Sequence, residues 1–424
     1  MKIHFILFGI LLNISLLAQN GEGNDALRLK ADELAHRFII VDGHVDLPYR
    51  LRVKNFRLTK EFIGIPVETN EGDFDYVRAK KGGLTSPFMS IYIPSSYQVD
   101  GGAKELADSL IDMVNGIVAA HPEKFGQGLS PDQVKKNFKA GKISLPMGME
   151  NAAPFLALSD VAYFHKQGIR YATLTHAKDN QICDSSYDTT RTWNGLSPYG
   201  REVVLEMNKQ GIMVDISHVS DAAFYQTIGI TKAPVIASHS SCRQFTPGFQ
   251  RNMDDFMIES LGRNNGVILI NFGSDFLDGQ VTKNRDELRD KMRLMLEEKG
   301  IKEDDEAAKP YIDAFKPCNE KPLFADVELV ADHIDHVVKL AGIDHVGFGS
   351  DFDGVGIHYF TKLKDVAAYP NLIFELLKRG YTEEDIEKIC YKNLFRAWRE
   401  VERVAAEMQK NNLWYSLEVS LSLN

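Results

Sequence analysis

The chain predicts an α/β protein, a (β/α)8 barrel of the TIM type with insertions after strands 1 and 7 and a C-terminal helical extension. Three observations predict it. Short apolar segments alternate with amphipathic helical patterns along the sequence, eight such segments occur, and seven of the eight end in a polar residue that can bind a metal or move a proton. Barrel enzymes gather their chemistry on the rim formed by the C-terminal strand ends, so this recurrence is the sequence trace of one functional rim. An open doubly wound sheet is the structural alternative, but no GxGxxG turn follows the first strand.

In chain order, FIIVDGHVD ends at His44 and Asp46, and SPFMSIYIP follows with no such ending. ISLPMGME ends at Glu150, YATLTH at His176, IMVDISH at His218 and PVIASH at His239. VILINF carries Asn271, and HVGFGSD ends at Asp351. Between them ELADSLIDMVNGIVAAH, DVAYFHKQG and GREVVLEMNKQG place apolar residues at helical spacing. Strand and helix in alternation imply parallel strands joined by right-handed crossovers. Two long segments break the rhythm, one from Leu51 to about Lys81 and one from Asp275 to about Phe324 that carries RDELRDKMRLMLEEKG. The second is expected as a lid, a dimer contact or a solvated helix packed outside. After the eighth strand, the run from Tyr369 to Lys410 is helical, with a start signal at Thr382 followed by Glu383 and Glu384, and is expected on the barrel's flank.

The chain's 424 residues fit one elaborated barrel, expected over 19–424. The first 18 residues read as a signal peptide: Lys2, an apolar run from Phe5 to Leu17, then Ala18 before Gln19. That run is short for a membrane span of about 20 residues, so the mature chain is expected to be exported, periplasmic or secreted, with no stable membrane span. A formal charge of -10 without a clustered Lys/Arg surface argues against nucleic acid and for small-molecule or peptide partners. Four cysteines, Cys183, Cys242, Cys318 and Cys390, lack CxxC spacing and do not make a disulfide scaffold, although Cys242 and Cys318 could meet.

His44 and Asp46 stand at i and i+2 of a strand, so both can reach one metal, with Asp42 one layer deeper. HxD alone is a weak motif and gains weight only from its place at the end of a barrel strand. His218 and His239 end successive strands whose apolar residues Ile212, Val214, Ile216, Val235 and Ala237 share their parity, which predicts one common interior. A lone strand-end histidine is more often a hydrogen-bonded core residue; two together favour a shared ion, and imidazole there suits zinc. Glu150 has two oxygens that can bridge two cations, although a carboxylate there also suits an Arg partner or a helix N-terminus. The ligand sets are then His44, Asp46 and Glu150 for one metal and Glu150, His218 and His239 for the other, with room for a bridging water. Asp351, in GFGSDFDG, is the candidate to orient that water and take its proton, Asp353 a weaker one, and His176 a group for the substrate or a developing oxyanion. Asn271 has no assigned part.

Through DGHVD, GMEN, RYATLTH, DISH, SHSS, GFGSDFDG and NLFRAW, in this order from about His36 to Val404, the chain resembles the membrane (renal) dipeptidases, the M19 metallopeptidases of the amidohydrolase-type barrel superfamily. The resemblance implies two Zn2+ per chain bridged by Glu150 and a water or hydroxide, the five ligands above, and hydrolysis of dipeptides, with D-residues at the C-terminal position left open. It implies that Asp351 holds the bridging water, that His176 contacts the substrate, that Arg251 grips the substrate carboxylate with Arg243 as a rival, and suggests a homodimer. Gly273 stands where mammalian members carry a tyrosine, and the segment to Phe324 is longer than the family pattern. The alternatives are another metal-dependent amidohydrolase, such as an N-acyl amino acid deacetylase, or an exported metal-binding barrel without activity. The former commonly use an HxH pair and a carboxylated lysine, where this chain has HxD and Glu150.

Overall fold

The computed structural model describes residues 23–53, 67–302, 306–311, 323–355 and 362–422. Among the described residues ten short strands form: β1 (Val41–Val45), β2 (Ser86–Tyr92), β3 (Phe125–Gln127), β4 (Ile143–Leu145), β5 (Met147–Glu150), β6 (Ile169–Thr173), β7 (Met213–Asp215), β8 (Ile236–Ser240), β9 (Val267–Ile270) and β10 (Val346–Phe348). Eight of them close a barrel in the order β1, β2, β5, β6, β7, β8, β9, β10, and every pairing is parallel. Helices cover the outside, which is why the strands read as nearly continuous apolar runs.

The expected single strand ISLPMGME is two strands. Pro146 breaks it: β4 pairs with β3 in a separate two-stranded sheet, and only β5 enters the barrel. Proline cannot donate to a ladder, but its carbonyl can accept, and Met89 N–H bonds it at 2.7 Å. The three-residue β3 carries too little alternation to stand out in the sequence.

Strand parity is also corrected. Met213 and Ile236 point into the barrel, whereas Ile212, Val214, Ile216, Val235 and Ala237 pack in the layer between strands and helices. The inner residues Val41, Phe88, Tyr171, Met213, Ile236 and Leu269 share one buried cluster with Leu394, Phe395, Ala397, Trp398 and Val401 of the helix Asn393–Ser422. That helix therefore closes the N-terminal end of the barrel rather than lying only on its flank, with the Trp398 ring 5.4 Å from Phe88. Its apolar face supplies the floor that the short strands leave unfilled. The expected start signal holds, since Thr382 caps Glu383–Glu387 through a reciprocal bond with Asp385.

The segment after β9 begins with the helices Ser274–Leu277 and Gly279–Glu298. His333, on the helix Val327–Ala341, ties its start to the barrel: Nδ1 accepts from Cys242 N–H at 2.9 Å, and Nε2 faces the Leu277 carbonyl at 3.0 Å. Only the neutral imidazole satisfies both partners, and burial pushes the pKa of His333 down to about 4. Above the unfolded value of about 6.5 neither state takes the proton; below it the unfolded chain does and the fold does not. Stability is therefore lost as pH falls from about 6.5 toward 4, by about 2 kcal/mol at pH 5. The urea midpoint should drop between pH 7.5 and pH 5, and the drop should shrink in His333→Gln, whose amide can serve both partners; the same drop in both proteins would contradict the assignment.

Cys183, Cys242 and Cys390 are buried, and among the described residues none of them is bonded to another cysteine. The expected meeting of Cys242 with Cys318 falls on a residue outside the described set, as do residues 1–18. Among the described residues no helix is long and apolar enough to cross a membrane.

Candidate metal centre

Backbone irregularities aim the polar strand ends into the barrel mouth. In β1, Asp42 pairs with Pro87 and Val45 with Met89, so one extra residue bulges at Gly43–His44. A matching bulge lies between Ala237 and Ser240 in β8, where His239 sits. His218 and Asp351, just beyond β7 and β10, adopt left-handed φ angles of 70° and 63°. Such angles are unfavourable for residues with a side chain and persist where surrounding bonds hold them. Buried aspartates do the holding. Asp42 accepts from His44 N–H at 3.0 Å, Ser350 N–H at 2.9 Å and the Tyr369 hydroxyl. Asp215 accepts from Ser217 N–H at 3.0 Å and Ser238 N–H at 2.8 Å. Asp42 thus tethers two strand ends and is not a deeper ligand.

The five expected ligands converge. Glu150 Oε2 lies 3.2 Å from His44 Nε2, which is 3.3 Å from Asp46 Oδ2. Glu150 Oε1 lies 3.1 Å from His218 Nε2 and 3.3 Å from His239 Nε2. Each carboxylate oxygen therefore faces one of the two ligand sets. Ser90 of β2 donates to Oε2 at 3.1 Å, so the strand that ends without a ligand still positions one.

The donor atoms fit a cation. His44 Nδ1 meets the Tyr171 hydroxyl at 2.8 Å and His239 Nδ1 meets Ser238 Oγ at 2.8 Å, which fixes both rings and leaves Nε2 pointing inward. The Nε2 atoms of His218 and His239 are 2.8 Å apart, and His44 Nε2 and Asp46 Oδ1 are buried without a hydrogen-bond partner among the described residues. Burial, with the fields of Arg251 and neighbouring imidazoles, holds His218 and His239 well below the usual histidine range, in the neutral form that ligates metals. Burial opposes ionisation of Glu150, yet the fields of His44 and His176 and the bonds from His218 and His239 outweigh it and hold the carboxyl well below its usual range. Imidazole nitrogens and carboxylate oxygens without a thiolate suit zinc and similar divalent ions. Three overlapping groups each bring candidate donor atoms within 4.8 Å of one another: His44, Glu150 and His239; Glu150, His176 and His218; and His44, Asp46 and Asp351. Spacing alone thus does not separate His176 and Asp351 from the five.

Asp351 is buried beside Asp46 and Glu150. Burial pushes its carboxyl up to about 7, with His44 opposing and the two carboxylates adding. Asn271, without a part in the sequence reading, donates Nδ2 to Asp351 Oδ2 at 2.8 Å while its own carbonyl accepts from Gly273 N–H at 2.7 Å. It therefore sets the carboxylate's orientation. His176 Nε2 stands 3.5 Å from Glu150 Oε1, and its ring packs against Tyr92 in a T-shaped contact with centroids 4.8 Å apart.

Arg243 is drawn away by Asp221, which it binds bidentately at 2.8 and 2.6 Å. Arg251 is the arginine at the centre. It is buried, donates to Ser240 Oγ and the His239 carbonyl at 2.7 Å each, and brings Nη2 to 3.0 Å from His218 Nε2. Its Nε–H has no partner among the described residues. Asp353 pairs with Arg50 at 3.3 Å and accepts from Asp73 N–H at 2.7 Å, so it acts as a tether. Over the centre opens a cavity of ≈ 690 Å³, lined by Asp46, Glu150, His176, His218, His239 and Asp351 together with Tyr49, Tyr92, Tyr187 and Phe276. The sequence reading did not single out these aromatics, which come from the end of β2 (Tyr92), two short helices (Tyr49, Phe276) and a loop (Tyr187) without a shared period.

A family model for membrane dipeptidases, peptidase family M19, matches residues 28–412. The chain belongs to the membrane dipeptidase family. Dipeptidase tcpJ of Claviceps purpurea is 32% identical over 381 residues, 87% of this chain and 78% of that protein. Dipeptidase ataJ of Aspergillus terreus is 31% identical, over 90% of this chain and 89% of its own length. The crystal structure of the probable dipeptidase PvdM from Pseudomonas aeruginosa superposes with a TM-score of 0.75 at 27% identity, covering 90% of this chain and 100% of that one. Membrane dipeptidase membership agrees with the closed parallel barrel and with a metallopeptidase hydrolase.

Proposed function

We propose that the protein is a zinc-dependent dipeptidase that hydrolyses the peptide bond of dipeptides at a two-cation centre held by His44, Asp46, Glu150, His218 and His239. The observation that carries this reading is the division of Glu150, whose two oxygens face different ligand sets. Cations bound there supply Lewis-acid polarisation of the peptide carbonyl and acidify water toward neutral pH.

The chain's own groups supply the rest. Asp351, held by Asn271 with a carboxyl near neutrality, takes a proton from the attacking water and returns it to the leaving amine. His176, on the cavity wall, donates to the developing oxyanion. Arg251 offers its Nε–H, which has no partner among the described residues, to the substrate's terminal carboxylate, and its Nη2 would be available to the same carboxylate where His218 Nε2 serves as a metal ligand. Support for export comes from residues 1–18, and a mature chain that begins at Gln19 is part of the proposal.

The test is a panel of L,L and L,D dipeptides, their C-terminal amides and N-acetyl amino acids, assayed with chelator and after zinc is restored. Free dipeptides should be cleaved only with the cation present, and amidation should raise KM by roughly 10-fold or more, as loss of a charged hydrogen bond does. Unchanged activity in chelator, or preference for N-acetyl amino acids, would refute the reading.

A further inference from the structure

A second cavity of ≈ 470 Å³ adjoins the first, and Tyr187 and Phe276 line both. Its walls add Phe249, Pro247, Gly279, Thr282 and Arg285, the last three from the helix Gly279–Glu298. Three aromatic rings run from the metal centre into this space: Tyr187 is 5.9 Å from the His218 ring and 6.1 Å from Phe249, which is 5.7 Å from Phe276. Arg251 lies over Phe276, 5.2 Å from its centroid.

We propose that this cavity is a side-chain subsite that selects a large neutral aromatic residue at the C-terminal position of the substrate. The assignment rests on the dipeptidase reading, since it takes Arg251 as the carboxylate receptor. A residue whose carboxylate meets Arg251 presents its side chain to Phe276, and beyond Phe276 lies the second cavity. Its volume exceeds what an alanine or leucine side chain fills, and Tyr187, Phe249 and Phe276 offer the edge-to-face partners that aromatic rings prefer. Charge decides between an aromatic and an acidic occupant. Arg285 is already paired with Asp275, and Arg289 faces Asp286, so the two guanidiniums and two carboxylates on the wall offset one another and the cavity carries no net positive charge to hold an acidic side chain.

Gly279 gives a clean way to fill the space. A Cβ there would meet Phe245 O and the Thr246 Cα at 3.6 Å, ordinary contact, so Gly279→Leu adds bulk to the cavity without displacing backbone. The test pairs turnover with binding. kcat/KM is measured for L-Ala-L-Trp, L-Ala-L-Phe, L-Ala-L-Ala and L-Ala-L-Glu, and Kd is measured by calorimetry for uncleavable analogues of the same four in which the amide is replaced by CH2–NH. Wild type should favour Trp and Phe over Ala by roughly 10-fold or more, the yield of burying one ring. Gly279→Leu should collapse that ratio toward one, with the loss falling on the Trp and Phe substrates and analogues. Equal Kd values for the Trp and Ala analogues in wild type, an unchanged ratio in Gly279→Leu, or tightest binding of the Glu analogue would overturn the subsite. If the analogues bind in the expected order and no dipeptide is cleaved, the dipeptidase reading fails and the subsite stands.

Discussion

Asp351→Asn is expected to keep the metal content of the wild type while kcat falls by roughly 10²- to 10⁴-fold, the range for loss of a general base. The substitution keeps the size of the side chain, and Asn271 can still hold its carbonyl oxygen, so the backbone at φ 63° stays supported. What is lost is the proton acceptor. Burial, reinforced by Asp46 and Glu150, brings that carboxyl to about 7, so activity should rise with pH as it ionises. A bound cation favours the charged form and moves this acid limb below 7. The variant should lose the limb as well as the rate. Zinc analysis with a pH profile checks both, and an Asp351→Asn enzyme with wild-type turnover would remove the residue from the chemistry.

Glu150→Gln is expected to have the larger effect on the cations themselves. Its oxygens stand 3.1–3.3 Å from the Nε2 atoms of His44, His218 and His239, and an amide presents one oxygen where the carboxylate presents two. One ligand set therefore faces an NH2 group. Removing an outer partner of a metal ligand already costs roughly 10- to 100-fold, so activity should fall by more than about 100-fold with zinc below two per chain. Thermal unfolding with and without added zinc gives an independent reading, because a ligand bound only by the folded state raises Tm by mass action. The zinc-induced shift should shrink sharply in Glu150→Gln; an equal shift in both proteins would show that Glu150 does not share the cations.

Much of this site could be read from the sequence because barrel topology sends every strand end to the same rim. The order of strands and helices gave the closed barrel, and the polar ends gave His44, Asp46, Glu150, His218 and His239 as neighbours. The reason offered for two of them was not the physical one. Parity placed His218 and His239 on the face of Ile212 and Val235, which points at the helices. The imidazoles reach the mouth because a left-handed residue and a bulge turn them there. Such irregularities follow from long-range bonds, such as Asp215 to Ser238 and Asp42 to Ser350, that no local pattern encodes. The same limit hid Asn271, whose partner Asp351 is 80 residues away, and Ser90, 60 residues from Glu150. It also hid Tyr187, which a loop brings to the cavity. The choice between Arg251 and Arg243 needed the structure, since only the pairing of Arg243 with Asp221 shows which guanidinium is already committed.

The most direct measurement is an anomalous-difference map at the zinc edge from crystals of the wild-type protein grown with zinc. Two peaks are expected, one beside His44, Asp46 and Glu150 Oε2 and the other beside His218, His239 and Glu150 Oε1. A single peak, or two that do not share Glu150, would contradict the two-cation centre.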